Sequence, residues 1–517
     1  MSRLGRCASV ALSGVHGTVV DIEAHLGGMP GFSLVGLPDA SLTEARDRVR
    51  AAVLSSGVDW PLQRITVSLS PASLPKRGSH FDLGLALAIL EASEVVPPDS
   101  VRKAVILGEL ALDGRLHSVP GVLPAVLAAV RAGYTQVLVP EGNTAEAQLV
   151  PGVSVVGALS LRQVLARLRG DPVPGEPFRA SPGVADVADN PAVDESQDPP
   201  DLADVAGQKT AKRVLEVAAA GHHHLSMVGP PGAGKTMLAR RLPGLLPDLD
   251  LTESLEVTAI HSVAGLLPAD RPMLTRPPFA DPHHTASAAA IVGGGSRYLR
   301  PGAASRAHRG VLFLDEAPEF ASRVLDALRQ PLEHGEIVVS RAEATATFPA
   351  RFQLVLAANP CSCGQHGSRT GMCTCPPAAI RRYEHRVSGP VRDRIDLHAS
   401  VATPSLAELE DELGRNEASA AVAERVAAAR ERQRRRFQDT PWQLNSEVSG
   451  RALRTQFRVP PAALVPMSDA VRKGQLSPRG ADKVLRLAWT VADLGGRGCP
   501  DIDDVATAVS MRRTERS

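Results

Sequence analysis

A glycine-rich loop between an apolar strand and a helix is the feature that most limits what this chain can fold into. In LSMVGPPGAGKT, the apolar run Leu225–Val228 leads directly into the loop, which ends in Lys235 and Thr236. Such a loop turns backbone amides toward phosphate groups, its lysine reaches the outer phosphates, and its threonine hydroxyl can bind Mg²⁺. A glycine-rich turn without a ligand is the alternative, but the flanking strand and helix patterns favour a phosphate loop. The predicted cofactors are ATP and Mg²⁺, and the predicted cofactor-binding residues are Gly229, Pro230, Pro231, Gly232, Ala233, Gly234, Lys235 and Thr236.

A second apolar run ends in two carboxylates. The stretch GVLFLDEAPEF (310–320) predicts a buried strand followed by Asp315 and Glu316. Transfer of a phosphoryl group to water needs positioning and charge neutralisation more than covalent chemistry. We therefore predict that Asp315 binds Mg²⁺ together with Thr236 and that Glu316 is catalytic, polarising the attacking water. Taken alone, an acidic pair after an apolar run is often only a helix N-terminus.

A third apolar strand, FQLVLAAN (352–359), ends in Asn359. If this strand lies between the other two, the amide of Asn359 can hold the hydrolytic water against the terminal phosphate. The alternative is a turn asparagine that caps the next segment. We predict the catalytic role because two other strand ends already carry phosphate and metal chemistry.

Four of the six cysteines follow this asparagine within the insertion 361–375. Their pattern is C-x-C, nine residues, then C-x-C, formed by Cys361, Cys363, Cys373 and Cys375. Two thiolate pairs can close a tetrahedral Zn²⁺ site, and such a site stabilises a loop too polar to pack by itself. We predict structural zinc that leaves no open position for catalysis. Free thiols and disulfides are the alternatives, because C-x-C is a less common zinc spacing than C-x-x-C.

The composition bears on compartment and partners. The chain has 57 basic and 56 acidic residues, so any nucleic-acid surface must be local. Only 3% of residues are aromatic, which argues against a broad base-stacking platform and favours phosphate contacts. The initial apolar run is too brief for a signal peptide, and no apolar stretch approaches the roughly 18 residues of a membrane span. Clustered cysteines fit metal binding in a reducing compartment, so we expect a cytoplasmic protein without a membrane partner.

The chain divides into four parts, which predict a multidomain α/β protein. Residues 1–170 mix strands, including RITVSLSPA (64–72) and AVILGEL (104–110), with helices such as 81–96, which indicates an α+β domain. Residues 171–200 are a proline-rich, acidic linker. Residues 201–403 alternate strands and helices as in a parallel sheet, and residues 404–517 are almost wholly helical.

These motifs together carry a family resemblance. The phosphate loop, the acidic pair, Asn359, SGPVRDRIDLH and LSPRGADKVLR resemble AAA+ ATPases of the magnesium-chelatase group, specifically the ComM/YifB family. The segments DLADVAGQ and RPPFADPHHTASAAAIVGGGS look like further family signatures. The resemblance covers nearly the whole chain except the linker. It implies a Lon-protease-like (S5 domain 2-like) N-terminal domain, an AAA+ core with a phosphate loop, and a helical, magnesium-chelatase-like C-terminal lid.

The resemblance also implies an activity. Such a protein is an ATP hydrolase that forms a homo-oligomeric ring, expected to be a hexamer, and acts on branched or single-stranded DNA as a helicase or branch-migration motor in recombination or natural transformation. The alternative is a chelatase-like or protein-remodelling motor that acts on a protein partner.

By the same resemblance, two arginines are catalytic. Arg394, in DRID, is the arginine finger supplied to a neighbouring subunit, and Arg479, in LSPR, is the second sensor. From spacing alone, the better interpretation of each is a surface arginine paired with a carboxylate. Arg392 stands where the family has an apolar residue, so Arg392 and Arg394 both remain candidates for the finger.

The first domain resembles the Lon-type protease domain but lacks its dyad. A Lon-like enzyme needs a serine activated by a lysine. Aligning PKRGSH with the protease pattern places His80 at the serine position, next to Ser79, and Pro124 lies near the position of the lysine. We therefore expect a scaffold for ring assembly or DNA engagement rather than a peptidase.

Two basic features are candidates for DNA contact. The stretch 335–353 predicts a hairpin with a turn near Arg341, which in related ring ATPases projects toward the pore. The alternative is an ordinary hairpin with a solvated arginine. A helix near residue 430 can line a channel with its arginines, or those arginines are solvated or paired with acidic neighbours. The helix carries Arg430, Arg432, Arg434, Arg435 and Arg436.

Two histidine clusters are given no metal site. His222–His224 are consecutive and point in different directions, so joint ligation is poor. His283 and His284, in DPHHT, are expected to be loop structure or a subunit contact.

Overall fold

The computed structural model describes residues 3–37, 39–177, 200–268, 271–295, 299–341, 344–367, 372–404 and 416–512. Most of the predicted linker, 178–199, and the hairpin turn residues 342–343 lie outside the described residues. Among the described helices, none is long and apolar enough to cross a membrane.

The N-terminal part is a seven-stranded mixed sheet with helices. In spatial order its strands are Gly31–Val35, Arg64–Ser70, His16–Gly27, Arg3–Ser13, Ala104–Ile106, Gln136–Pro140 and Ser154–Ala158. A small ribbon pairs Glu109–Leu110 with Leu116–His117. The helices are Ala40–Ser55, Asp82–Ala92, Val122–Arg131, Thr144–Ala147 and Leu161–Arg169. Helix Asp82–Ala92 is buried on every side, which explains its nearly continuous apolar sequence.

One predicted strand in this part is wrong in extent. The stretch 104–110 forms two short strands instead of one, because the chain leaves the sheet after residue 107. Gly108 then donates its amide to the His80 carbonyl and accepts a hydrogen bond from the Leu83 amide. The backbone groups that would have continued the ladder are thus used by a neighbouring loop.

The central part is a five-stranded parallel sheet. Its spatial order is Phe279–Ala280, Val311–Leu314, Gln353–Ala358, Leu225–Val228 and Leu397–Ser400. Its helices are Lys209–Gly221, Lys235–Ala239, Leu251–Ala264, Ala288–Val292, Ala303–Arg306, Ser322–Ala327, Arg329–His334, Pro377–Glu384 and Gly389–Arg392. Strand Val311–Leu314 is completely buried, as its uninterrupted apolar sequence predicts for a sheet covered on both faces. All five strands direct their carboxyl ends to one edge.

The C-terminal part is helical, as its sequence predicts. Its helices are Ser419–Arg436, Gly450–Thr455, Val465–Arg472, Pro478–Leu494 and Ile502–Arg512. Helix Pro478–Leu494 begins after Ser477, whose side chain accepts the Gly480 amide, and has proline at its first position. The apolar core of this part is continuous with that of the parallel sheet. The helical part therefore packs against helix Lys209–Gly221 and the edge strand Leu397–Ser400.

Several hydrogen bonds join the N-terminal part to the central part. The Ser13 hydroxyl donates to the Thr345 carbonyl at 2.7 Å, on the hairpin formed by Glu336–Arg341 and Ala344–Pro349. The Gly121 amide donates to the Ser262 carbonyl at 3.1 Å. The first contact places the N-terminal sheet against the hairpin that the sequence singled out for DNA.

Candidate functional site

The phosphate loop folds around its own lysine. Strand Leu225–Val228 ends at Gly229, and the Lys235 ammonium donates to the carbonyls of Gly229 at 2.7 Å and Pro230 at 3.0 Å. Gly229 must be glycine, since a Cβ there would lie 2.0 Å from the Val401 carbonyl oxygen. The loop is therefore held between its lysine and the segment that follows the edge strand of the sheet.

Asn359 meets this lysine. Strand Gln353–Ala358 lies between the strands that precede the phosphate loop and Asp315, as predicted, so Asn359 lies at the same sheet edge. Its side-chain oxygen accepts a hydrogen bond from Lys235 at 3.1 Å. Burial lowers the pKa of Lys235 from its ordinary value, while the charges of Asp315 and Glu316 act in the opposite direction. An ammonium and an amide thus converge where an outer phosphate would lie.

The predicted magnesium residues also come together. The Thr236 hydroxyl donates to the Asp315 carboxylate at 2.6 Å. The other Asp315 oxygen accepts the Glu316 amide at 2.9 Å. A hydroxyl beside a carboxylate is an oxygen donor set that fits Mg²⁺, which keeps several waters and takes few protein ligands.

Glu316 has an unusual backbone and a partner that the sequence did not reveal. Its φ of 51° is left-handed, which is uncommon for a residue with a side chain. Its carboxylate lies 3.4 Å from Nδ1 of His284, whose ring packs against that of His283 at 4.1 Å between centroids. His284 was expected to be loop structure or a subunit contact, and the structure places it beside the predicted catalytic carboxylate.

The sequence gives no local signal that locates this histidine. Strand Phe279–Ala280 is parallel to Val311–Leu314 and adjacent to it, so the residues after each strand reach the same sheet edge. With only two residues, the first strand shows no periodicity that sequence analysis could detect.

The two predicted arginines contact carboxylates within the chain. Arg394 pairs with Glu333, and its side chain is 35% exposed. Arg479 lies 3.1 Å from Asp393 and is 79% exposed. Arg392 donates to His385 at 2.9 Å. Within the described part of the chain, none of the three arginines makes a hydrogen bond or ion pair with the phosphate loop.

A buried polar network joins the helical part to the sheet. Asp396 lies just before the edge strand, and one of its oxygens is 3.1 Å from Nζ of Lys483, on helix Pro478–Leu494. The other accepts the His224 amide at 3.2 Å and lies 3.8 Å from Nδ1 of His223, too far for a hydrogen bond. His223 also contacts Thr490 at 2.8 Å. These two histidines therefore act as packing and hydrogen-bonding groups between the two parts.

The four clustered cysteines converge. Their sulfur atoms all lie within 4.8 Å of one another, and none of the four forms a disulfide. Sγ of Cys361 lies 3.3 Å from that of Cys363 and 3.8 Å from that of Cys373, and Cys363 and Cys373 are 3.7 Å apart. Tetrahedral Zn²⁺ with Zn–S bonds of about 2.3 Å requires sulfur–sulfur separations of about 3.8 Å, so the donor set fits zinc. These separations are far longer than a disulfide bond.

Most of the arginines near the end of helix Ser419–Arg436 make contacts within the protein. Arg430 donates to the Ala219 carbonyl, Arg432 to the Asp493 carbonyl, and Arg436 pairs with the Asp493 carboxylate. The remaining two, Arg434 and Arg435, are more than 70% exposed and pair with Glu431. Of the two alternatives for this helix, internal pairing therefore accounts for Arg430, Arg432 and Arg436.

The residues of the protease-like loop PKRGSH make contacts other than those of a catalytic dyad. Burial lowers the pKa of His80 to about 4, so the ring is neutral, and it hydrogen-bonds the Val10 carbonyl at 2.9 Å. The Ser79 hydroxyl donates to Glu109 rather than to a lysine. Lys76 is fully buried and donates to the Pro71 carbonyl.

The fold and the converging side chains have the organisation of a phosphate-loop nucleotide-binding protein. Residues 201–409 match the family model for magnesium chelatase, subunit ChlI. Residues 20–143 match the model for subunit ChlI of Mg-chelatase, and residues 416–512 match the model for its C-terminal part.

Full-length relatives agree with these matches. An uncharacterized protein of Mycobacterium tuberculosis is 52% identical over 512 residues, covering 99% of both chains. The uncharacterized protein YifB of Escherichia coli is 39% identical over 507 residues, covering 98% of this chain and 96% of its own length. Competence protein ComM of Haemophilus influenzae is 41% identical over 490 residues, covering 94% and 93%.

The chain belongs to the ComM/YifB family of magnesium-chelatase-like AAA+ ATPases. The predicted fold class, with a Lon-like α+β part, a parallel phosphate-loop sheet and a helical C-terminal part, is confirmed. Membership implies ATPase activity with ATP and Mg²⁺.

Proposed function

We propose that this protein is a ring-forming ATPase that couples hydrolysis of ATP to movement on branched or single-stranded DNA, as a helicase or branch-migration motor in recombination or natural transformation. The observation that carries the proposal is the convergence of Lys235 with Asn359 and of Thr236 with Asp315 at one sheet edge. The resemblance to a competence protein over nearly the full chain supports the DNA substrate.

Each residue has a defined task in this proposal. The loop amides and Lys235 bind the phosphates, and Asn359 holds the attacking water in line with the terminal phosphorus. Glu316 accepts the proton of that water as the new bond to phosphorus forms and ADP leaves. Thr236 and Asp315 hold Mg²⁺, which neutralises charge on the phosphate oxygens when bound.

The proposed assembly is a homo-oligomer, most simply a hexamer, in which Arg394 acts on the nucleotide of a neighbouring subunit. Its side chain is one-third exposed and pairs with Glu333, so it can exchange a surface carboxylate for a phosphate. Arg479 lies in the first turn of helix Pro478–Leu494 and pairs with Asp393, next to the finger. Movement of that helix can thereby report the state of the nucleotide.

The DNA surface in this proposal includes Arg341, at the exposed end of its hairpin strand, and the exposed pair Arg434 and Arg435. The test is strand displacement on forked and three- or four-stranded DNA, with Lys235→Ala as the inactive control. Binding led by phosphate contacts should weaken steeply with salt. Displacement that is independent of ATP, or equal in the control, would refute the motor.

A second candidate is a motor that acts on a protein partner. The family models named for a magnesium chelatase subunit favour it, because that description names a protein complex rather than DNA. The two candidates differ in one measurement. DNA should stimulate ATP hydrolysis by a DNA motor and leave a protein-directed motor unaffected.

The proposal includes a structural Zn²⁺ held by the four cysteines, in the cytoplasm, where thiols stay reduced. Metal analysis of the purified full chain should find about one zinc per chain. A folded preparation without metal would refute this part alone.

A further inference from the structure

The cysteine cluster touches the phosphate loop. Gly364, between Cys363 and Cys373, is buried, and its φ is +78°. A Cβ added there would lie 2.6 Å from Cδ and 2.7 Å from Cγ of Pro231, in the phosphate loop. The Gly364 amide donates to the Cys361 carbonyl at 3.0 Å, so its position is tied to the cluster. The backbone of the cysteine insertion thus packs directly on the ring of a phosphate-loop residue.

The insertion also lies close to Asn359 at both ends. At its start, only Pro360 separates Asn359 from Cys361, whose side chain is completely buried. Beyond its last cysteine the chain forms helix Pro377–Glu384, and the Tyr383 side chain on this helix lies near the Asn359 backbone. Tyr383 is only 5% exposed, so this return contact lies in packed surroundings.

These contacts involve two residues of the nucleotide site, Pro231 and Asn359. Gly364 packs against Pro231 from one side, and Asn359 lies between the start of the insertion and the nearby Tyr383 side chain. The insertion itself has few apolar side chains, so its shape depends on what holds the four sulfurs together. A change in the cluster should therefore move the phosphate loop and Asn359 together.

We infer that the four-cysteine site is a metal-dependent control on ATP binding and hydrolysis, which takes a thiophilic divalent cation, Zn²⁺, and sets the phosphate loop through Gly364 and Pro231. This inference rests on the proposed ATPase function and deepens it. Metal binding fixes the positions of the four sulfur atoms and of Gly364, and loss of the metal lets Gly364 and the phosphate loop shift together. The metal has no role in the chemical step, because all four of its positions are filled by cysteine.

The first test removes one ligand from the full-length protein. Cys363→Ser is suitable because Cys363 is exposed, and Cys499→Ser is the matched control outside the cluster. Cys363→Ser should lose its zinc and raise the KM for ATP about tenfold, while Cys499→Ser keeps both zinc and kinetics. A zinc-free Cys363→Ser protein with wild-type kinetics would overturn the inference. A wild-type protein that lacks zinc yet hydrolyses ATP would also overturn it, whereas absence of hydrolysis in zinc-loaded wild type refutes the proposed function.

The second test keeps the metal and alters only the contact. Gly364→Ala and Gly367→Ala place the same side chain at similar positive φ angles, +78° and +72°, in the same insertion. The first meets Pro231, and the second meets nothing within 4 Å. Both variants should retain zinc, but only Gly364→Ala should weaken binding of a fluorescent ATP analogue, by about tenfold. Equal affinities for the ATP analogue in the two variants would show that the contact between Gly364 and Pro231 does not affect ATP binding.

Discussion

The buried pair Lys483–Asp396 predicts how firmly the helical part is held on the sheet. Both side chains are about one-tenth exposed, and the lysine also donates to the Ile395 carbonyl at 2.9 Å. Lys483→Met keeps the aliphatic stem but removes the charge, which leaves Asp396 ionised in a buried site. Removing one member of such a pair costs about 3–5 kcal/mol, far more than breaking an exposed pair.

The lower end of that range applies here. After the substitution, Asp396 still accepts the His224 amide, and the guanidinium of Arg512 still lies against the neighbouring backbone. We therefore expect the free energy of unfolding of this region to fall by about 3 kcal/mol, equivalent to about 150-fold in its equilibrium constant.

Urea unfolding followed by tryptophan fluorescence measures this loss. Trp489 lies on the same helix as Lys483 and is 6% exposed, and Trp442 lies nearby in the helical part. With a slope of about 3 kcal/mol per M, the midpoint should fall by about 1 M urea. The double variant Lys483→Met with Asp396→Asn is the control, since removing both charges should recover most of the loss.

The pH dependence gives an independent check. Burial alone would raise the pKa of Asp396, but His223 and Lys483 hold it well below its ordinary value. Its stabilising contribution is thus present above the unfolded pKa of about 3.9 and is lost as pH falls through the lower folded pKa. In Lys483→Met the folded pKa of Asp396 rises. The loss in free energy of unfolding relative to wild type should therefore be complete at pH 7 and become smaller as the pH falls. A midpoint unchanged at pH 7, or a double variant no better than the single one, would refute the reasoning.

The remaining predictions concern the nucleotide site. Lys235→Ala should abolish phosphate release, and undiminished hydrolysis would remove the assigned phosphate loop. Glu316→Gln should still bind ATP but lose about 10²–10⁴ in kcat, and retained turnover would exclude it as the group that accepts the water proton. Mixing Arg394→Ala with Lys235→Ala subunits should restore part of the activity, whereas rescue by Arg392→Ala subunits instead would reassign the finger. If His284 orients Glu316, His284→Gln should lower kcat more than it changes KM, and the reverse pattern would contradict that role.

The predicted nucleotide residues lie on short patterns whose strand, loop and helix are contiguous in sequence. Leu225–Val228 with its loop, and Val311–Leu314 with Asp315, could therefore be read directly. The position of Asn359 needed one further assumption, that its strand lies between the other two, and the sheet order agrees. The extent of strand 104–110 was wrong because Gly108 bonds to a distant loop that has no local signal.

The sequence by itself determined the parallel-sheet core, the phosphate loop, the acidic pair and the clustering of four cysteines. Only the tertiary structure decided that His284 faces Glu316, that Gly364 packs on Pro231, and that Arg430 bonds back to the core instead of facing a channel. The physical reason is the sequence distance over which each interaction acts. Periodicity and turn chemistry act over a few neighbouring residues, whereas these contacts depend on which strands become adjacent and which helix face is covered.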